Sequence, residues 1–338
     1  MYPISLKQIL IGFSTVLLFT GCSSDTNSEE KAIVNTSISE NIATPIPVFN
    51  ADSAYGYIAR QVNFGPRIPG SEAQELCADW MELHLRATCD TVYRQQTIVT
   101  AGDGVTPLRC INLVGVINPA ATQRILLLAH WDTRPWADQD ITRKDQPIDG
   151  ADDGASGVGV LLELARVIRQ HPLPENLGID ILLTDVEDWG KTEWGDKSYA
   201  LGTQYWARNP HIPGYTAQAG ILLDMVGAAN ARFTVEGYSQ RYAHQVITQV
   251  WNAAEAAGFG RYFVYESGGE IIDDHVPINE IARIPTIDII NLPASSHKVF
   301  PAHWHTHQDN LGVIDTQTLK AVGQTLLHYL YTLKTSAQ

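Results

Sequence analysis

Residues 124–132 read RILLLAHWD, an apolar run of strand length that ends in a histidine and an aspartate. Three similar runs follow along the chain: GIDILLTD at 178–185, GILLDMV at 220–226 and IPTIDIIN at 284–291. Runs that are apolar at nearly every position are typical of strands buried on both faces of a sheet. These four runs therefore predict a mostly parallel sheet that is covered on each side.

Helical patterns lie between and after these runs. The predicted helical stretches are 155–170, 198–208, 239–257 and 316–335. Two more β-rich segments, 90–100 and 110–117, precede the first apolar run. Strands that alternate with helices are typical of the α/β class. We therefore predict a single α/β domain with a mostly parallel central sheet flanked by helices on both faces.

One further helix is indicated by its capping residues. Ser71 is followed three residues later by Gln74, which is the spacing of a capping box. The apolar positions that fit one face of this amphipathic helix are Leu76, Trp80, Leu83 and Leu85.

The chain begins with the features of an export signal. An apolar stretch from Ile9 to Phe19 follows a single lysine, Lys7, and small residues lead to Cys22. The stretch is too short to span a bilayer as a helix, and its length suits the core of a signal peptide. Its ending, FTGC, resembles a bacterial lipobox, in which the cysteine carries lipid. An ordinary cleaved signal peptide is the alternative.

Residues 23–50 are polar and show no sustained period, as expected of a flexible tether. We predict a signal peptide at 1–21, a tether at 22–49 that is lipid-anchored at Cys22, and one folded domain at 50–338. Such a protein would be exported and would be a periplasmic or outer-membrane lipoprotein of a bacterium.

The composition excludes one class of partner and leaves the cysteines open. The formal net charge of the 338 residues is -14, and no lysine or arginine run offers the clustered positive charge that a phosphate backbone requires. Nucleic acid is therefore not an expected partner. After Cys22 only Cys77, Cys89 and Cys110 remain, so either one disulfide with one thiol or three buried thiols can form.

Acidic and histidine side chains follow the predicted strands where each strand ends. In open α/β sheets, ligands bind outside the carboxyl ends of the strands. Catalytic zinc takes imidazole and carboxylate ligands and keeps one position open. Candidate ligands occur at five places in the chain: His130, Asp152 and Asp153, Glu187 and Asp188, Asp224, and His305.

Six segments together resemble the ordered motif set of the zinc aminopeptidase superfamily. They are HWD at 130–132, GADDGASG at 150–157, the acidic pair at 187–188, LLDM at 222–225, DDHVPI at 273–278 and WHTHQDN at 304–310. FGPRIPGS at 64–71 also resembles the N-terminal signature of that superfamily. The resemblance implies that the folded domain is a zinc-dependent catalytic domain.

The superfamily includes aminopeptidases with two zinc ions and glutaminyl cyclases with one. Features similar to the cyclases are Trp304 before the ligand candidate, Trp194 after the acidic pair, DDH at 273–275 and RPWADQD at 134–140. This resemblance implies that Asp153, Asp188 and His305 bind one zinc ion. The neighbouring His303 and His307 are interpreted as loop histidines.

Two observations keep the number of metal ions open. Position 188 is aspartate, whereas animal cyclases and most of the peptidases have glutamate there. His130 and Asp224, which resemble ligands of a second metal, are both present.

The resemblance to cyclases implies conversion of N-terminal glutamine in peptides or proteins to pyroglutamate, with release of ammonia. Glu187 would carry the proton, and Asp224 and Asp273 would share a proton and orient the leaving group. Trp194, Trp304 and Phe300 would wall the substrate pocket. A secreted di-zinc aminopeptidase would use the same residues. A catalytically inactive binding lipoprotein is a weaker alternative, because Glu187 and all the ligand candidates are retained.

Overall fold

The chain folds around a sheet built from the apolar runs of the sequence. The computed structural model describes residues 45–293 and 300–333. The strands are β1 (Thr91–Thr100), β2 (Pro107–Ile117), β3 (Gln123–His130), β4 (Leu177–Thr184), β5 (Ala219–Asp224), β6 (Phe233–Glu236), β7 (Phe263–Gly269) and β8 (Thr286–Ile290). The helices are α1 (Ala51–Val62), α2 (Glu72–Thr88), α3 (Ala155–Gln170), α4 (Leu201–Arg208), α5 (Gly237–Ala256), α6 (His275–Pro277) and α7 (Thr316–Thr332). A π-helical turn, Ile278–Ala282, follows α6.

Six strands form the central sheet in the order β1-β2-β4-β3-β5-β8. The pairs β4–β3, β3–β5 and β5–β8 are parallel, whereas β1 and β2 form an antiparallel edge. The prediction of a mostly parallel sheet is confirmed. Strands β6 and β7 form a separate parallel pair that the sequence patterns did not predict.

Alternate side chains of β3 enter two different hydrophobic cores, which shows that both faces of the sheet are covered. Ile125 and Leu127 contribute to the larger core, together with buried residues of α1, α3, α5 and α7. Leu126 and Leu128 contribute to a second core, which includes Trp206 of α4. Successive side chains of a strand point to opposite faces, so apolar residues at every position need a helix layer on each side. The predicted two-sided architecture is confirmed.

Helix α2 begins where its capping residues predict but buries a different face. The backbone N–H of Gln74 donates to Ser71 Oγ at 3.0 Å, and the Gln74 side-chain oxygen accepts from the Gly70 N–H at 2.7 Å. Leu76 and Leu83, however, are 47% and 67% exposed, so the predicted apolar face is wrong at these two positions. The buried face is made by Gln74, Cys77, Ala78, Met81 and Leu85.

The folded domain includes the last residues of the predicted tether. Phe49 is buried, and its backbone N–H donates to the Gln324 side-chain oxygen at 2.9 Å. The Gln324 side-chain nitrogen donates in turn to the Pro47 carbonyl at 3.0 Å. These contacts with α7 correct the predicted domain start at residue 50, because Pro47 and Phe49 already belong to the fold.

The predicted signal peptide and Cys22 lie outside the described residues. Within the described ranges, no helix has both the length and the apolar character needed to cross a membrane. Cys77, Cys89 and Cys110 are free and buried, which matches the alternative of three buried thiols. Burial raises the pKa of Cys77 to about 12, so this thiol stays protonated at neutral pH.

Candidate active site

The carboxyl edge of the parallel strands brings the predicted ligand candidates together. His130 and Asp224 are the last residues of β3 and β5, and Asp188 follows β4. Asp153, Asp188 and His305 each offer one ligand atom, and these three atoms lie within 4.8 Å of one another. We call this group the His305 triad. His130, Asp153 and Asp224 form a second group of the same kind, the His130 triad. Asp153 belongs to both triads.

The His305 triad has the spacing and the donor atoms of a zinc site. His305 Nε2 lies 3.2 Å from Asp188 Oδ1 and 3.8 Å from Asp153 Oδ2. Tetrahedral zinc with ordinary bond lengths places its ligand atoms roughly 3.3–3.6 Å apart. Among the described residues, the buried Asp188 Oδ2 has no hydrogen-bond partner. A buried carboxylate oxygen without a partner is costly unless a cation satisfies it, so these residues fit zinc.

The His130 triad is also compact. His130 Nε2 lies 3.0 Å from Asp153 Oδ1 and 3.3 Å from Asp224 Oδ1. A single N–H on this nitrogen could reach either carboxylate, and a metal ion could equally bridge all three. The spacing of this triad therefore does not decide between a proton and a second ion.

Two carboxylates that sequence reasoning left without a role hold the ligand loops in place. Asp132 accepts from the backbone N–H groups of Glu187 and Asp188 at 3.0 and 3.1 Å. Asp309 accepts in the same way from Asp152 and Asp153 at 2.7 and 3.1 Å. Each carboxylate thereby fixes two consecutive residues of a loop. Their only signal in the sequence is their position inside the HWD and WHTHQDN motifs.

A third carboxylate lies beside the histidine of the His305 triad, on the side away from the ligand atoms. Asp138 Oδ1 is 3.2 Å from His305 Nδ1, an ion-pair distance, although the contact does not have the geometry of a hydrogen bond. The buried Arg134 donates to Asp138 Oδ2 at 2.8 Å and to the backbone carbonyls of Asp188 and Gly190 at 2.9 and 2.8 Å. A carboxylate on the far nitrogen of a ligand histidine fixes its tautomer and increases its basicity. The RPWADQD segment thus supports the triad and lies behind it.

Three loops around the site each contain a non-glycine residue with an unusual backbone conformation. Val186, Met225 and His305 have φ values of 56°, 47° and 54°, in the left-handed region. Each is a ligand candidate or lies next to a site residue in the sequence. Non-glycine residues in this region cost of order 1–3 kcal/mol each and persist where the surrounding structure holds them. The hydrogen bonds of Asp132 and Asp309 are of the kind that can hold such loops.

The buried carboxyl groups differ in how readily they ionise. Burial alone would raise the pKa of Asp188, but the charges of His305 and Arg134 lower it below its ordinary value. Burial and the charge of Asp153 raise the pKa of Asp224 to about 7, although the hydrogen bond with His130 opposes the rise. For Glu187, burial and then the charge of Asp273 raise the pKa well above its ordinary value.

Asp273 is the carboxyl group that couples this acidic cluster. Burial raises the pKa of Asp273 well above its ordinary value, and the charges of Asp224 and Asp274 add to the effect. Close carboxylates cannot all ionise cheaply, so protons are shared among them.

A small cavity of about 60 Å³ opens over the His305 triad. Phe300 and Trp304 line it, with ring centroids 4.2 Å apart, and Trp304 stacks on His305 at 3.7 Å. Glu187, Asp224 and Asp273 also face this cavity. The structure thus brings together all but one of the predicted site residues.

Trp194 is the exception and corrects the prediction. It does not line the site cavity and lies instead beside Trp136, with ring centroids 6.4 Å apart. Lys191 places its ammonium nitrogen 4.9 Å from the Trp194 ring centroid. Gly195 follows with φ 79°, a turn conformation that glycine adopts at low cost. Tyr199, for which the sequence offers no signal, lines the cavity instead.

The two remaining histidines of the WHTHQDN region have carboxylate partners of their own. His303 Nε2 lies 2.8 Å from Asp152 Oδ2, and His307 Nδ1 lies 2.7 Å from Asp140 Oδ2. Neither belongs to a metal triad among the described residues. The geometry agrees with their interpretation as loop histidines.

With this geometry in place, residues 112–330 match the model of Peptidase family M28. The chain belongs to peptidase family M28. It is 26% identical to a glutaminyl-peptide cyclotransferase-like protein of Bos taurus over 293 residues, which cover 78% of this chain and 71% of the relative.

Solved structures similar to this M28 family member carry two kinds of description. The glutaminyl cyclase of Bacteroides thetaiotaomicron, bound to N-acetylhistamine, is 47% identical with a TM-score of 0.83, covering 86% of this chain and 100% of that one. A Zn-dependent exopeptidase from Parabacteroides distasonis is 47% identical with a TM-score of 0.82 and the same coverage. Cyclisation and peptide hydrolysis must therefore be distinguished by the site itself: by its metal-ligand candidates, by its proton-carrying carboxyl groups and by the side chains that line its cavity.

Proposed function

We propose that the protein is a zinc-dependent glutaminyl-peptide cyclotransferase, which converts N-terminal glutamine of peptides or proteins to pyroglutamate and releases ammonia. The observation that carries this proposal is the cavity of about 60 Å³ over the His305 triad, which is lined by Glu187, Phe300 and Trp304. It suits the amide of one side chain. The similarity to the Bacteroides thetaiotaomicron glutaminyl cyclase supports the same reaction.

In this proposal Asp153, Asp188 and His305 hold one zinc ion. Bound zinc would supply Lewis-acid polarisation of the side-chain amide carbonyl. Both reacting groups belong to one glutamine residue, so positioning alone contributes a large part of the rate enhancement. The chain's own residues must fold the side chain back, carry the proton and exclude water.

Glu187 is the proposed proton carrier. As the α-amine nitrogen bonds to the amide carbon, Glu187 takes a proton from that amine. It returns the proton to the departing nitrogen when the carbon–nitrogen bond of the amide breaks, so that ammonia leaves. Burial and the charge of Asp273 raise the pKa of Glu187, and a raised pKa suits a carboxyl group that must both accept and donate.

Asp224 and Asp273 are proposed to share a proton and orient the leaving nitrogen. Both face the cavity, and the charge of Asp224 contributes to the raised pKa of Asp273. Phe300 and Trp304 form the wall that excludes water. Exclusion matters because hydrolysis of the amide is the competing reaction.

A di-zinc aminopeptidase is the alternative that the similarity to glutaminyl cyclases does not favour, and one observation keeps it testable. His130, Asp153 and Asp224 form a second possible metal group beside the first. In that enzyme Glu187 would activate a water molecule against the first peptide bond. The two candidates differ in whether water is a reactant, and therefore in their products.

The test is ammonia release from a short peptide with N-terminal glutamine, measured beside hydrolysis of leucine anilide on the same zinc-loaded protein. Glu187→Gln should lower ammonia release by roughly 10²–10⁴-fold, the usual contribution of a proton carrier. Glu193→Gln, at an exposed position outside the cavity, is the matched control and should keep full activity. Anilide cleavage without ammonia release would identify the aminopeptidase. If the protein shows neither of these two activities, the result would indicate a binding protein.

We also propose that the protein is exported and is a periplasmic or outer-membrane lipoprotein anchored through Cys22. The support is the sequence of residues 1–22, with its apolar stretch and FTGC ending. Mass spectrometry of the mature N-terminal peptide should find a lipid on Cys22, and Cys22→Ala should move the protein to the soluble fraction. An unmodified N-terminus at another residue would indicate an ordinary signal peptide.

A further inference from the structure

A second cavity of about 320 Å³ lies next to the site cavity, between α4 and the helical segment formed by α6 and Ile278–Ala282. We call it the α4 groove. Tyr199 and Ile272 line both cavities, so the groove and the site cavity adjoin at these two side chains. Ile272 directly precedes Asp273 in the chain, which places the junction beside the reacting centre.

The site cavity alone is too small for a peptide. Its volume of about 60 Å³ is close to that of two water molecules in the liquid, whereas ligand pockets usually measure about 300–1,000 Å³. It can take the amide end of one side chain. The α-amine of the glutamine must reach Glu187, but the glutamine carbonyl and every residue after it must lie outside the cavity.

Another large cavity near the site offers no continuous path for that backbone. It has a volume of about 480 Å³ and is lined by Trp136, Arg134 and Lys191, among others. Within the described residues, this cavity and the site cavity have no lining residue in common. Arg134 approaches the His305 triad from behind, donating both to the Asp188 backbone carbonyl and to Asp188 Oδ1. The α4 groove is therefore the better route.

The α4 groove has a mostly apolar lining and a wall held by hydrogen bonds. Tyr238, Pro277 and Ile281 contribute apolar surface to it. Two acidic residues, Asp196 and Glu280, and two basic residues, Lys197 and Arg208, also line it, so their formal charges cancel. The Gln204 side-chain nitrogen donates to the carbonyls of Lys197 and Tyr199 at 3.0 and 2.8 Å, which fixes the loop before α4. A groove that is formed before binding loses little ordering entropy when a chain enters it.

We propose that the α4 groove binds the residues that follow the N-terminal glutamine of the substrate and favours apolar side chains there. This inference rests on the proposed cyclotransferase activity and extends it from the glutamine to the next residues of the peptide. Tyr238 and Ile281 are then specificity-determining residues, because they contact the part of the substrate that does not react.

The experiment compares kcat/KM for glutamine amide with kcat/KM for Gln-Leu-Leu amide and Gln-Asp-Asp amide. For the unaltered protein, the leucine peptide should exceed glutamine amide by roughly tenfold, which is the lower end of what apolar contacts contribute to discrimination. The aspartate peptide should show no such gain. Tyr238→Ala and Ile281→Ala should each reduce the ratio of leucine peptide to glutamine amide to roughly threefold or less.

Two controls make the outcome specific. Ile212→Ala removes a partly exposed isoleucine outside the groove and should leave the ratio unchanged. Trp136→Ala tests the rival cavity. A ratio that falls in Trp136→Ala but not in the groove variants, or equal rates for all three substrates, would overturn the inference. Turnover of glutamine amide with no gain from added residues would reject the groove alone, whereas no ammonia from any substrate would reject the proposed activity itself.

Discussion

The two triads share Asp153 and use the same kinds of donor atom, yet their carboxyl groups differ in how readily they ionise. In the His305 triad, the pKa of Asp188 is lowered, so this carboxylate remains charged, and its Oδ2 atom has no partner within the described chain. In the His130 triad, the pKa of Asp224 is raised to about 7, and His130 Nε2 lies within 3.3 Å of both carboxylates.

This difference has a chemical meaning. Where a proton can neutralise a buried carboxylate, no metal ion is required to do so. Asp188 is held in its charged form by His305 and Arg134, and its Oδ2, unpaired among the described residues, leaves a position that a cation can fill. We therefore propose that the His305 triad holds one zinc ion and that a shared proton satisfies the His130 triad.

The largest expected effect separates the two triads directly. Asp188→Asn removes the charged ligand and should abolish stoichiometric zinc binding, lowering ammonia release by roughly 10²–10³-fold or more. Asp224→Asn, the matched change in the His130 triad, should retain the zinc. Metal analysis of both purified variants checks this. Loss of zinc from Asp224→Asn alone would reverse the assignment of the two triads.

An intermediate effect is expected from the carboxylate behind His305. Asp138→Asn leaves the ligands in place but weakens the hold on His305 Nδ1, 3.2 Å away. Zinc affinity should fall by roughly 10–100-fold, as is usual when such a partner is removed. Competition with a chelator measures the change. Asp145→Asn, at an exposed position in the same loop region, should leave the affinity unaltered.

The smallest effect is a pH dependence in the metal-free protein. Because the folded-state pKa of Asp224 is raised from 3.8 to about 7, the folded state binds this proton more tightly than the unfolded state does. Its contribution to stability is therefore complete below about pH 4 and is lost as the pH rises toward 7. In Asp224→Asn this loss is absent. Raising the pH from 5 to 8 should therefore lower the melting temperature of the unaltered protein relative to that of the variant. Parallel melting curves for the two proteins would contradict it.

The sequence predicted the sheet and most of the site because strand ends and ligand types are written in consecutive residues. The run RILLLAH predicts that β3 is buried and also contains the histidine with which this strand ends. It could not place Trp194, because the turns between Asp188 and α4 decide which way that ring points. Nor could it assign Asp132 and Asp309, since their role depends on the direction of backbone N–H groups in distant loops.

The error in α2 has a similar origin. Leu76 and Leu83 look like core residues by type, but the face of α2 that packs inward carries Cys77, Ala78, Met81 and Leu85, all fully buried. Packing of this kind depends on the neighbouring elements and is not encoded in the helix alone.

The measurement that tests the central claim most directly is the zinc content per chain of the active protein, determined with the ammonia-release rate on the same sample. A single ion held by the His305 triad predicts a ratio of one at full activity, with the same ratio in Asp224→Asn. A ratio of two at full activity that falls to one in Asp224→Asn would contradict the account, because both triads would then hold metal.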